Sequence, residues 1–67
     1  MKRLTAEQRS LWTEAIDDPQ PNGDQTVEQA RAFAIESFRQ FCAFDGLPVP
    51  SVKAVEAEMA RRRSVAA

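Results

Sequence analysis

The sequence predicts an all-α fold: one small domain of three helices that spans residues 1–67. Apolar residues recur at helical spacing in three segments of the chain. Two of these segments open with a Thr-X-Glu-Gln pattern, at Thr5 and at Thr26, which is the pattern of a helix capping box. All four prolines and both glycines fall in two stretches, 18–25 and 45–50, which therefore separate the helices.

The first helix is predicted over residues 6–17. Its apolar residues share one stripe, expected to face the core: Leu4, Leu11, Trp12, Ala15 and Ile16. Three charged residues are expected to face water: Glu7, Arg9 and Glu14. A loop over 18–25 follows, because Pro19 and Pro21 block a helix and Asn22-Gly23 accepts a positive φ.

The second helix is predicted over residues 27–44, and it is the longest and most aromatic element. Its broad apolar sector is predicted to hold Val27, Ala30, Ala34, Ile35, Phe38, Phe41 and Cys42, with Phe33 and Phe44 together beside it. The apolar arc is about 200° wide, whereas a surface helix needs a stripe of only about 100°. This helix is therefore expected to be covered from two directions, by its own chain and by another molecule.

The end of the second helix and the third helix follow from local signals. Gly46 suits the left-handed position after a helix, Leu47 can fold back on Phe41 or Cys42, and Pro48 prevents resumption. Ser51 is the predicted N-cap of a third helix over 52–63. Its inward residues are predicted to be Val52, Val55 and Met59, and Glu58 is expected on the exposed side, paired with Arg61 and Arg62.

Length and composition limit the ways in which the chain can be stabilised. A domain this short normally needs disulfides, a metal or a partner subunit. The sequence has one cysteine and no histidine, so an internal disulfide and a Cys/His metal site are excluded and no cofactor is expected. A homodimer or a partner complex is the remaining source of stability.

Enzymatic function, secretion and membrane insertion are not expected. The chain lacks histidine and tyrosine, and its lone thiol, Cys42, is predicted to be buried, so neither catalysis nor a small-molecule substrate is expected. The basic start Met1-Lys2-Arg3 is not followed by an apolar stretch of signal-peptide type, and no run of about eighteen apolar residues occurs. A single unpaired thiol also fits a reducing compartment, so a cytoplasmic location is expected.

The candidate site is a protein-binding surface, and the predicted function is that of a small regulator, inhibitor or adaptor. All four phenylalanines lie within twelve residues of the second helix, and aromatic side chains dominate interface energies. Core packing alone is the competing explanation of this cluster. The apolar contact residues are predicted to be Trp12, Phe33, Phe44 and Leu47, and the charged ones Asp17, Asp18, Asp24, Arg61, Arg62 and Arg63.

The charge pattern supports a second, less favoured function. The net charge of −1 gives no overall attraction for nucleic acid, but acidic residues cluster in 14–28 and arginines in 61–63, which suggests a bipolar molecule. The second and third helices outline a helix-turn-helix, so DNA binding through the arginines, or acidic mimicry of DNA, is the alternative. The plainer interpretation of the arginines is that they complement the helix dipole.

Overall fold

The computed structural model describes residues 3–66 and confirms the all-α fold. Its helices are α1 (Ala6–Arg9), α2 (Glu14–Asp17), α3 (Val27–Phe44) and α4 (Val52–Ala66). No strand occurs in this part of the chain. The short helices α1 and α2 and the long helices α3 and α4 surround one core. Among residues 3–66, none of the helices combines the length and the hydropathy that a membrane span requires.

The prediction of one continuous first helix is wrong, because the chain unwinds between α1 and α2. Ser10 Oγ donates to the Glu7 carbonyl, a local bond that competes with helix propagation. The Leu11 and Trp12 amides then bond to carbonyls three residues back, at 3.1 and 3.0 Å, which tightens the turn. Thr13 is extended, with φ −120° and ψ 162°. The break turns Leu11 and Trp12 towards the core, with Leu4 and Ile16, and leaves Ala15 exposed instead of buried.

Both predicted capping boxes are present. The Gln8 amide donates to Thr5 Oγ1 at 3.1 Å, and the Gln29 amide donates to Thr26 Oγ1 at 3.0 Å. In each box the glutamine Oε1 accepts the threonine backbone N–H at 2.8 Å. These bonds satisfy amides that the first turn of a helix leaves without partners.

The stop after α3 is also as predicted. Gly46 has a φ of +74°, its amide donates to the Ala43 carbonyl, and the Leu47 amide donates to the Cys42 carbonyl at 2.9 Å. This is the Schellman arrangement. Two side chains then hold the connection to α4: Gln8 Nε2 donates to the Pro48 carbonyl at 2.7 Å, and Arg39 Nε donates to the Pro50 carbonyl at 2.9 Å.

Helix α4 begins where the sequence predicts and ends later. Ser51 Oγ accepts the Ala54 amide at 3.1 Å, as expected of an N-cap. The helix continues to Ala66 and so exceeds its predicted end by three residues. Val55 and Met59 are buried as predicted, whereas Val52 is 41% exposed.

The core lies between one side of α3 and the remaining elements. Its buried members are Leu4, Ile16, Ile35, Phe38, Cys42, Ala54, Val55 and Met59, with Leu11, Trp12 and Leu47 packed around them. Two residues of the predicted apolar sector of α3 are exposed: Val27 by 68% and Phe41 by 43%. Helices α1 and α2 have only four residues each, and α4 is the one long neighbour of α3. The wide apolar arc of α3 is therefore only partly covered.

Candidate protein-binding surface

One side of α3 is rich in phenylalanine and open to solvent. Phe33 is 68% exposed, Phe41 43% and Phe44 91%. At 100° per residue these three rings and Ser37 lie within about 80° of one another around the helix axis. We call this strip, formed by Phe33, Ser37, Phe41 and Phe44, the aromatic face. The fourth phenylalanine, Phe38, has no exposed surface.

An apolar groove of about 520 Å³ lies beside the aromatic face, between α2, the 18–25 loop and α3. Ile16, Ala30 and Ala34 line it and are buried, so they form its floor. Phe33 and Phe41 line it and remain exposed, so they form the wall on the α3 side. The groove and the aromatic face are therefore one continuous apolar surface.

Two of the four predicted apolar contact residues belong to this surface and two do not. Phe33 and Phe44 are exposed as the prediction requires. Leu47 is half-buried and packs against the core. Trp12 is half-buried too, with its ring centroid 4.9 Å from that of Phe38 at an interplanar angle of 60°. The structure thus places Trp12 and Leu47 at the edge of the core.

Sequence reasoning missed Phe41 and Ile16 as residues of the surface. Around the axis of α3, Phe41 lies about 60° from the buried Phe38 and about 80° from the exposed Phe33. Periodicity alone places Phe41 on the boundary of the buried sector. Its exposure depends on how far α2 and the 18–25 loop extend over α3. The spacing of residues within α3 carries no information about this extent.

The predicted charged residues are neighbours rather than opposite poles. Asp17 Oδ1 accepts the Trp12 Nε1 hydrogen at 2.6 Å, and the Arg62 guanidinium lies 4.7 Å above the centre of the same indole. Asp17 and Asp18 line one shallow cavity together with Arg62 and Arg63. The prediction of an electrically bipolar molecule is therefore wrong for these residues. Asp24 is exposed in the loop.

Glu58 is buried, not on the exposed side of α4 as predicted. Its side chain is 6% exposed, and its Oε2 accepts from Arg61 Nη2 at 2.6 Å and from Arg62 Nε at 2.7 Å. Burial by itself raises the pKa of the Glu58 carboxyl, but the hydrogen bonds and positive charges of Arg61 and Arg62 outweigh it, so the pKa is lowered. Two of the three predicted contact arginines thus also serve the fold.

Cys42 lies in the core, and we expect it to be unreactive while the chain is folded. The residue has no exposed surface, and burial, with a smaller effect of the Asp45 charge, raises the pKa of its thiol. Since the thiolate is the nucleophile, a maleimide should label Cys42 only as fast as the chain opens. Labelling rates in water and in urea check this: rapid labelling of the folded chain, at the rate found in urea, would contradict the burial.

The side chains that line the groove are either apolar or polar without charge. The polar side chains that line the groove are those of threonine, serine, asparagine and glutamine. No cluster of three or more metal-ligating side chains occurs in residues 3–66. Comparison of the chain with protein-family models, with curated proteins and with solved structures finds no match.

Proposed function

We propose that the chain is a small regulator, inhibitor or adaptor that catalyses no reaction and binds a protein partner through the aromatic face and the groove beside it. The exposure of three of the four phenylalanines on one side of one helix carries this proposal. Contiguous apolar patches larger than a few hundred Å² are rare on monomers and mark interaction sites. Large aromatic side chains next to a pocket are typical anchors of protein interfaces.

The chemistry of the groove supports binding rather than catalysis. The groove presents aliphatic and aromatic carbon together with neutral polar groups, which suits contact with an apolar side chain. The most reactive side-chain type in the chain, the thiol of Cys42, lies outside the groove and is buried. A cytoplasmic location, where a lone thiol stays reduced, is part of the same proposal.

Charged residues near the surface are assigned a supporting role. Asp24 is exposed in the loop that borders the groove, and Asp18 and Arg63 are exposed near α2. Exposed charges at the rim of an interface mainly affect orientation and the rate of association. Arg61 and Arg62 are less available, because both bond to Glu58.

DNA binding ranks below protein binding, because acidic side chains lie next to the arginines that would contact the phosphates. A clamp on phosphates needs the positive charge of residues 61–63, but Glu58 compensates part of it and Asp17 and Asp18 lie beside Arg62 and Arg63. The proximity of these charges weakens acidic mimicry of DNA equally. Binding of duplex DNA that falls steeply with salt and is lost on replacing Arg61, Arg62 and Arg63 would favour the alternative.

The proposal is tested by substitutions on the aromatic face. Phe33→Asp should abolish capture of the partner from an extract of the native cells, because it buries a charge at the contact, while the helical circular dichroism stays unchanged. We expect at least a tenfold loss of captured protein, which corresponds to about 1.4 kcal/mol. Quantitative mass spectrometry of the captured proteins measures it.

Val65→Asp is the matched control. Val65 is 76% exposed on α4, outside the groove and the aromatic face. Partners of the aromatic face should be retained by this variant as well as by the natural chain. If Phe33→Asp and Phe44→Asp both keep the full set of captured proteins, the aromatic face is not the binding surface.

A further inference from the structure

We infer that the aromatic face binds a second copy of this chain, with the two α3 helices antiparallel and Phe44 of each copy seated in the groove of the other. This inference rests on the proposed function and names one partner for the same surface. The starting observation is Phe44, which at 91% exposure has almost no contact within its own chain.

The aromatic face and the groove are complementary to themselves when α3 is reversed. Two bulky residues, Phe41 and Phe44, lie at its C-terminal end, and small residues precede them on the same side: Ala30, Ala34 and Ser37. Phe33 is the one bulky residue of the aromatic face among these small ones. With the two-fold axis level with residue 39, Phe41 of one copy lies opposite Ser37 of the other, and Phe44 lies opposite Ala34. The rings of Phe41 and Phe44 in each copy then meet small side chains of the other copy.

The groove has the right position and volume to receive a phenyl ring. Ala34 is part of its floor and Phe33 part of its wall, so a ring placed over Ala34 contacts the second copy's Phe33. A cavity of about 520 Å³ exceeds what one phenylalanine fills. One phenyl ring therefore leaves part of the groove unfilled, next to the polar side chains that line it.

The exposed aromatic area is large enough to form the centre of a dimer interface. A phenylalanine side chain presents about 150 to 250 Å². The exposed fractions of Phe33, Phe41 and Phe44 thus supply about 400 Å² per copy, half of the roughly 800 Å² per partner of a standard interface. Phe33 and Phe44 are about 16 Å apart along the helix, so the contact extends over three turns.

Helix dipoles favour the antiparallel arrangement over the parallel one. The N-terminal end of α3 carries partial positive charge and its C-terminal end partial negative charge. Antiparallel packing brings opposite ends together, whereas parallel packing brings like ends together. The chain also has a single, buried cysteine, so a second copy supplies stability that an internal disulfide cannot.

Sedimentation equilibrium of the purified chain tests the inference. We expect a monomer–dimer equilibrium whose dissociation constant rises at least tenfold in Phe44→Ser, and we expect no change in Val65→Ser, a control exposed on α4. A chain that stays monomeric at every concentration, or a dimer that Phe44→Ser leaves intact, overturns the inference.

Disulfide crosslinking tests the direction of packing. Gln40 and Gln29 are both exposed and lie on the same side of α3 as the aromatic face. In the antiparallel dimer the two copies of residue 40 are offset by only about 3 Å along the axis, but those of residue 29 by about 30 Å. Under mild oxidation Gln40→Cys should give a covalent dimer and Gln29→Cys should not. Efficient crosslinking of Gln29→Cys indicates parallel packing and overturns the proposed arrangement.

Failure of this inference and failure of the proposed function give different results. A monomeric chain whose partner capture is lost in Phe33→Asp keeps the proposed function and excludes the second copy. A monomeric chain whose capture is insensitive to Phe33→Asp contradicts both.

Discussion

Phe38→Ala is expected to unfold most of the protein at room temperature. The Phe38 ring has no exposed surface, lies in the middle of α3 and packs against Trp12 and the buried residues of α4. Truncating a buried phenylalanine to alanine costs about 3 to 5 kcal/mol, since the transfer free energy is lost and a cavity remains. A core of this size rarely supplies more than about 3 to 5 kcal/mol of net stability. Urea denaturation followed by circular dichroism measures the change in the free energy of unfolding.

Phe44→Ala is the control for this substitution, because it removes the same atoms from a ring that is 91% exposed. Below the dissociation constant of the proposed dimer, its effect should stay within about 0.5 kcal/mol. If Phe44→Ala melts the dilute chain and Phe38→Ala does not, the buried and exposed sides of α3 have been assigned the wrong way round.

Glu58→Gln is expected to destabilise the fold by about 1.5 to 3 kcal/mol at neutral pH, because it weakens the three charge-assisted hydrogen bonds that Arg61 and Arg62 donate to a buried carboxylate. Glu36→Gln is the matched control. Glu36 also pairs with an arginine three residues on, but its side chain is 54% exposed. An exposed pair contributes about 0.2 to 1 kcal/mol at most.

The effect of Glu58→Gln should depend on pH with a definite sign. The pKa of Glu58 is lower in the folded chain than in the unfolded chain, so the unfolded chain binds its proton more readily. The contribution of Glu58 is therefore fully present above the ordinary carboxyl pKa and is lost as the pH falls through the folded value. The difference in the free energy of unfolding between Glu58→Gln and the natural chain, measured from about pH 7 down to about pH 2, should shrink. A difference that grows on acidification would contradict the assigned pairing.

The sequence predicted those features of the fold that depend on a few adjacent residues. The capping boxes at Thr5 and Thr26 and the stop at Gly46 depend on bonds between residues three to five apart, so their patterns are sufficient. The break after α1 was missed because the stripe from Leu4 to Ile16 is compatible with one helix. The break lets Leu11 and Trp12 pack against a core whose other residues are distant in the chain, and such contacts are not visible in the local pattern.

The sequence likewise indicated some residues of the exposed apolar surface and missed others. The width of the apolar arc of α3 indicated that some of it stays uncovered, and Phe33 and Phe44 were correctly placed outside the core. Helical periodicity gives angles around α3, but it does not say where α2 and the loop stop covering it, so Phe41 was assigned to the wrong side. Glu58 was misplaced because a local pairing with Arg61 and Arg62 fits an exposed helix and a buried carboxylate equally well.

The hydrogen bonds of Gln8 explain why an amide rather than a carboxylate occupies this position. For capping alone, Glu and Gln are interchangeable, since either offers an oxygen to the threonine N–H. Gln8, however, is only 5% exposed and uses its other atom, Nε2, as a donor to the Pro48 carbonyl, forty residues away. A carboxylate has no hydrogen to give and would bring a charge into the interior. The requirement for a neutral donor thus applies to position 8. It does not apply to Gln29, the equivalent residue of the second capping box, which is exposed to solvent.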